Sequence, residues 1–110
     1  MSATSHALLA ERATHVTRLL KLLASESRLQ ILCRLSDGEK GVGDLSRATG
    51  LSLTATSQHL SRLRAEGLVH TRRHAQTIVY RLEDAATLAI IATLCAIYNP
   101  KGTSHDEVVP

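Results

Sequence analysis

Cys33 and Cys95 are the residues of this 110-residue chain best suited to covalent chemistry. A thiolate is a nucleophile and a soft metal ligand, and two thiols that meet can be oxidised to a bridge. The other chemistry-bearing residues are polar and basic. The stretch from Ser52 to Ser61, SLTATSQHLS, holds hydroxyls, an amide and an imidazole but no Asp, Glu, Lys or Arg. Arginines surround it: residues 45–82 contain Arg47, Arg62, Arg64, Arg72, Arg73 and Arg81 against a single acid, Glu66. That segment is net +5 inside a chain of net +3, so the remainder is slightly acidic. Guanidinium groups fork onto phosphates and base edges better than ammonium groups do. The segment reads either as a polyanion footprint or as a solvated face.

The spacing of the polar stretch selects between these readings. Ser52 can cap a helix that runs to about Glu66 and closes at Gly67. On that helix Thr56, Leu60 and Leu63 share one stripe and can pack inward, leaving Thr54, Ser57, Gln58, Ser61 and Arg62 outward. Gln pairs bidentately with adenine and Arg with guanine, while short hydroxyls allow close approach and reach phosphate or base edges. An ordinary surface helix would more often carry Glu–Lys pairs one turn apart. A short helix near 42–48, through Val42, Leu45 and Ala48 and ended by Gly50, precedes it, which makes a helix-turn-helix. Beyond it, LVHT and TIVYRL have the β-branched and apolar content of two strands, and the polar RRHAQ between them has a hairpin's length. Such a tip can lie on the DNA backbone or in a minor groove. The candidate DNA contacts are therefore Ser52, Thr54, Thr56, Ser57, Gln58, His59 and Arg62 on the helix and Arg72, Arg73, His74 and Gln76 on the hairpin. His74 reads as an exposed loop residue rather than a metal ligand.

These groups need a frame. Apolar positions from Leu8 to Leu23 are spaced as one broad helical face over residues 5–23. Ser25 can cap a second helix over about 26–36, which buries Leu29, Ile31, Leu32 and Leu35 and stops at Asp37-Gly38. A fifth helix begins at Glu83-Asp84 and runs to about Tyr98. The order is α-α-α-α-β-β-α: mainly α with a β-hairpin wing, in one domain over residues 1–100 followed by a flexible tail, 101–110. The fifth helix, LAIIATLCAIY, is apolar or small on every side, and a domain this small can cover one of its faces. A homodimer through the first and fifth helices, with two-fold symmetry, is expected.

Composition narrows the classes further. With 44% hydrophobic and 21% charged residues the chain is an ordinary globular domain. Phe and Trp are absent and Tyr80 and Tyr98 are the only aromatics, so an aliphatic core is expected and stacking platforms for single strands are not. No apolar run reaches the roughly 20 residues of a membrane helix. The opening MSATSHALLAERATHV lacks the pattern of an export signal, so a cytoplasmic location with free thiols is expected.

The segments LLKLLASESRLQILCRL, VGDLSRATGLSLTATSQHLSRLRAEGLV and RRHAQTIVYRL resemble the ArsR family of winged-helix bacterial repressors, over roughly residues 18–98. The resemblance implies a dimeric transcriptional repressor released from its operator by an inducer, with SLTATSQHLSRL entering the major groove and RRHAQ forming the wing. Many members sense metals, but VGDLS lacks the clustered cysteines of one site and the last helix lacks the histidines of the other. The six histidines, at 6, 15, 59, 70, 74 and 105, show no ligand spacing, so no metal or other cofactor is expected. Cys33 in ILCRL matches the cysteine of the reactive-sulfur-sensing branch, similar to the biofilm growth-associated repressors, in which persulfides bridge it to a second cysteine. That partner would fall at Asn99, whereas Cys95 lies one helical turn earlier. The resemblance thus implies a thiol oxidant or persulfide as inducer; Cys33 and Cys95 are the sensing pair if the packing of the helices brings them together, and an inert pair or a single reactive thiol if it does not.

Three classes compete: a DNA-binding repressor with thiol, metal or other sensing, a small thiol enzyme, and a winged-helix protein-interaction module without a thiol switch. No Cys-x-x-Cys, Gly-rich phosphate loop or nucleophile elbow supports the enzyme. The acid-free helix and the +5 segment favour double-stranded operator DNA as partner.

Overall fold

Local signals set most of the helices. The computed structural model describes residues 3–98, with side chains from His6 onward. The expected first helix is two: α1 (Ala3–Glu11) and α2 (Ala13–Leu23). They part at Arg12, whose N–H is shared between the carbonyls of Leu8 and Leu9 at 3.2 and 3.0 Å. The two halves also differ in packing. Leu22 and Leu23 of α2 are buried, whereas Leu8 and Leu9 of α1 are half exposed.

Helix α3 (Glu26–Leu35) starts where expected, with the Ser25 hydroxyl accepting the Arg28 N–H at 3.2 Å. Glu26 in its first turn and Arg34 in its last oppose the helix dipole favourably. Strand β1 (Lys40–Gly41) has no signal in the sequence, because two residues carry no periodicity. Helix α4 (Val42–Thr49) ends at Gly50, whose φ of 79° is a conformation that glycine adopts without strain. Helix α5 (Leu53–Ala65) is capped by the Ser52 hydroxyl, which accepts the Ala55 N–H at 3.0 Å.

Strands β2 (Val69–His74) and β3 (Thr77–Leu82) pair antiparallel, and the sheet order is β1-β3-β2. The expected five-residue loop RRHAQ is corrected here. Arg72, Arg73 and His74 belong to the ladder, opposite Val79, Ile78 and Thr77, and the turn is Ala75-Gln76 alone. Ala75 takes the positive φ, 59°, that a two-residue hairpin turn requires. Helix α6 (Ala85–Tyr98) is capped by Asp84, whose carboxylate accepts both the N–H and the hydroxyl of Thr87, at 2.9 and 2.7 Å.

The core is aliphatic. Ile31, Leu32, Leu45, Leu60, Leu63 and Val69 are fully buried, and Ile91 of α6 joins them. Each such side chain contributes about 1.5–3 kcal/mol through removal from water. Only Thr87 and Ile91 of α6 are buried; Leu88, Ile97 and Tyr98 face out, the last two at 60% and 80% exposure. No helix among the described residues is long and apolar enough to cross a membrane. The expected tail, 101–110, lies outside the described residues.

Candidate nucleic-acid interface and dithiol site

The turn between α4 and α5 is locked by short polar side chains. The Ser46 hydroxyl donates to the Leu51 carbonyl at 2.6 Å. The Thr49 hydroxyl donates to the Leu45 carbonyl at 2.7 Å and accepts the Leu51 N–H at 3.3 Å. These bonds fix the angle at which α5 leaves α4. Sequence reading missed them, since each looks like an ordinary polar residue.

Helix α5 divides as its spacing predicts. Leu60 and Leu63 are fully buried, and Thr54, Ser57, Gln58, Ser61 and Arg62 are exposed. His59 is half-buried. Ser52 is exposed, but its hydroxyl is engaged as the cap. Thr56 corrects the expected contact set. Its side chain has no exposure, and its hydroxyl donates to the Ser52 carbonyl at 2.8 Å. It packs the helix and cannot reach a groove.

At the far end of α5, Arg18 of α2 grips Glu66 with Nε and Nη2, each at 3.0 Å from a carboxylate oxygen. The hydrogen bond to Arg18 holds the Glu66 carboxyl below its usual pKa. Arg73, His74 and Gln76 are exposed on the hairpin. Arg72 is exposed too, but its Nε and Nη2 each lie 2.7 Å from an oxygen of Glu39. That bond holds the Glu39 carboxyl low as well. Arg81 donates to Glu83 at 2.9 and 3.2 Å, and His70 Nδ1 is 3.3 Å from the same carboxylate.

The second site is a cleft of about 1020 Å³ between α3 and α6, lined by Leu29, Gln30, Arg34, Ile91 and Tyr98 together with both cysteines. Cys33 Sγ lies 3.2 Å from Cys95 Sγ. Cys33 is exposed at the lip and Cys95 is half-buried. Partial burial, then the contact with Cys95 and the charge of Asp37, push the Cys33 thiol up to about 11, against the opposing pull of Arg34. The family position at Asn99 lies outside the described residues. Cys95, one turn earlier, nevertheless meets Cys33. No group of three or more His, Cys, Asp or Glu side chains that could hold a metal occurs among the described residues. His105 lies outside them.

Residues 25–71 match the family described as bacterial regulatory protein, arsR family. The chain is 48% identical over 99 residues to the HTH-type transcriptional regulator YgaV of Escherichia coli K12, covering 88% of this chain and 99% of that one. It is 51% identical over 80 residues to the transcriptional activator HlyU of Vibrio cholerae, covering 73% and 74%. The crystal structure of the transcriptional repressor BigR from Xylella fastidiosa superposes with a TM-score of 0.80 at 36% identity, covering 89% of this chain and 97% of that one. The chain belongs to the ArsR family, and it is a winged helix-turn-helix, DNA-binding transcriptional regulator rather than an enzyme.

Proposed function

We propose that this protein is a homodimeric repressor that binds operator DNA and is released by oxidation of its two cysteines. The observation that carries the switch is the 3.2 Å approach of Cys33 Sγ to Cys95 Sγ at the mouth of an open cleft. The exposed apolar residues Leu20 of α2 and Leu88, Ile97 and Tyr98 of α6 support the dimer. Two α5 helices then enter successive major grooves about 34 Å apart. Ser52, Thr54, Ser57, Gln58, His59 and Arg62 face the duplex, and Arg73, His74 and Gln76 follow its backbone.

The chemistry balances with a persulfide, RSSH, as oxidant. One cysteine thiolate attacks the terminal sulfur of RSSH, giving a protein persulfide and RSH. The second thiolate attacks the inner sulfur and expels hydrosulfide. Two thiols and one RSSH thus become one disulfide, RSH and H2S. A second RSSH allows a three-sulfur bridge, with two RSH and one H2S released. Either bridge ties α3, in the reading unit, to α6. If the tied geometry separates the α5 helices differently, operator affinity falls by that difference in free energy.

The test is duplex binding by fluorescence anisotropy before and after persulfide treatment, with Gln58→Ala as the probe of base reading. Oxidation lowers operator affinity, and Cys33→Ser abolishes the response. Gln58→Ala costs about 1–3 kcal/mol on the operator and far less on unrelated duplex. An unchanged response in Cys33→Ser discards the switch, and equal losses on both duplexes discard base reading by Gln58. The 51% identity to an activator favours a second reading, in which the same DNA contact raises transcription. A promoter fusion in a deletion strain separates the two by the sign of its change.

A further inference from the structure

The outer face of the wing is a chain of alternating charges. Strand alternation puts His70, Arg72 and His74 of β2 on one face, with Arg81 of β3 directly opposite His70. Glu39 immediately precedes β1, the strand on the far side of β3. Arg72 therefore reaches across β3, beside its ladder partner Val79, to put two donors on Glu39, at 2.7 Å each. Arg81 Nη1 is 4.0 Å from the same carboxylate and binds Glu83. Two carboxylates thus match two guanidiniums before His70 is counted. Arg73 projects from the opposite face of β2 and has no carboxylate partner among the described residues.

We infer that Glu39 is the positioning residue of the wing: it clamps Arg72 away from the DNA backbone and leaves Arg73 as the hairpin arginine that neutralises a phosphate. This inference rests on the proposal that the wing lies on DNA. A phosphate approaching Arg72 meets the Glu39 carboxylate at hydrogen-bond distance from the same guanidinium, so the attraction is largely cancelled at that point. A phosphate approaching Arg73 meets no such opposition. Both side chains reach solvent, where an ion pair adds little to stability, so its removal leaves the fold intact.

The experiment is the salt dependence of binding to a short mixed-sequence duplex, between about 0.05 and 0.2 M salt, where each phosphate neutralised adds about 0.9 to the log–log slope. A dimer carries two Arg73 side chains, so Arg73→Ala lowers the steepness of the slope by about 1.8, and Arg72→Ala leaves it unchanged. Glu39→Gln frees two Arg72 side chains per dimer, raises the steepness by about 1.8 and tightens binding several-fold at the low end of salt. The gain disappears in Glu39→Gln combined with Arg72→Ala. Circular dichroism melts of each variant follow the fold separately. Equal slope losses in Arg72→Ala and Arg73→Ala, or no gain in Glu39→Gln, overturn the clamp while leaving the wing on DNA. A slope unmoved by Arg73→Ala takes the wing off the duplex and overturns the reading beneath it as well.

Discussion

Cys33 Sγ and Cys95 Sγ are 3.2 Å apart across two helices 62 residues distant in sequence. A disulfide bond is about 2.05 Å long, so closing one requires the sulfurs to approach by roughly a further ångström. A single rotamer adjustment or a small sliding of α6 over α3 covers that distance. A bridge of three sulfurs fits with less demand on the backbone.

Persulfide treatment of the reduced protein gives an intramolecular cross-link. Intact-mass spectrometry reads either a loss of two hydrogens or the gain of one sulfur with that loss, and peptide mapping places it between Cys33 and Cys95. Cys33→Ser and Cys95→Ser each remove the product. A cross-link joining two chains instead would contradict the geometry.

The raised Cys33 thiol predicts sluggish reaction at neutral pH. With a pKa of about 11 the thiol is almost wholly protonated at pH 7. Its alkylation rate by iodoacetamide therefore climbs about tenfold per pH unit and levels off only near 11. Burial is the main cause and persists, but Cys95→Ala removes the sulfur contact that adds to it, so Cys33 alkylates faster at any fixed pH below that plateau. A rate that levels off near pH 8 would be inconsistent with this arrangement.

Thr56 separates packing from recognition on one helix. Thr56→Ala removes a buried methyl group and the hydroxyl bond to the Ser52 carbonyl. Stability falls by about 1–2 kcal/mol in urea unfolding, while DNA affinity of the folded protein is unchanged. A selective loss of operator affinity with normal stability would return Thr56 to the contact face.

The exposed end of α6 carries the dimer prediction. Ile97 is 60% exposed in the single chain. Burying that remaining surface in a two-fold interface contributes about 1–2 kcal/mol per copy, and a Glu there adds its own desolvation cost, so Ile97→Glu weakens dimerisation by about a hundredfold. Leu20→Glu tests α2 in the same way. Sedimentation equilibrium reads both, and unaltered dimers in both variants would move the interface elsewhere.

The hydropathy and capping signals of the sequence determine α3, α4 and α5, because each is written locally: Ser25 and Ser52 cap, and Gly50 and Gly67 terminate. The split of α5 into a buried Leu60 and Leu63 face and an exposed Ser57 and Gln58 face follows from the same 3.6-residue period. The aliphatic core follows from composition.

Tertiary structure decides the rest, because it brings together residues that no local period relates. The two-residue β1 exists through pairing with Tyr80 and Val79. The meeting of Cys33 and Cys95 depends on how α6 lies over α3, which a count of residues cannot supply. The +5 of residues 45–82 is a sum along the chain, yet the fold brings Glu39 and Glu83, both outside that window, onto Arg72 and Arg81, and draws Glu66 onto Arg18. Charge acts through space and falls with distance rather than with sequence separation, so the positive surface belongs to the arginines the fold leaves without a carboxylate.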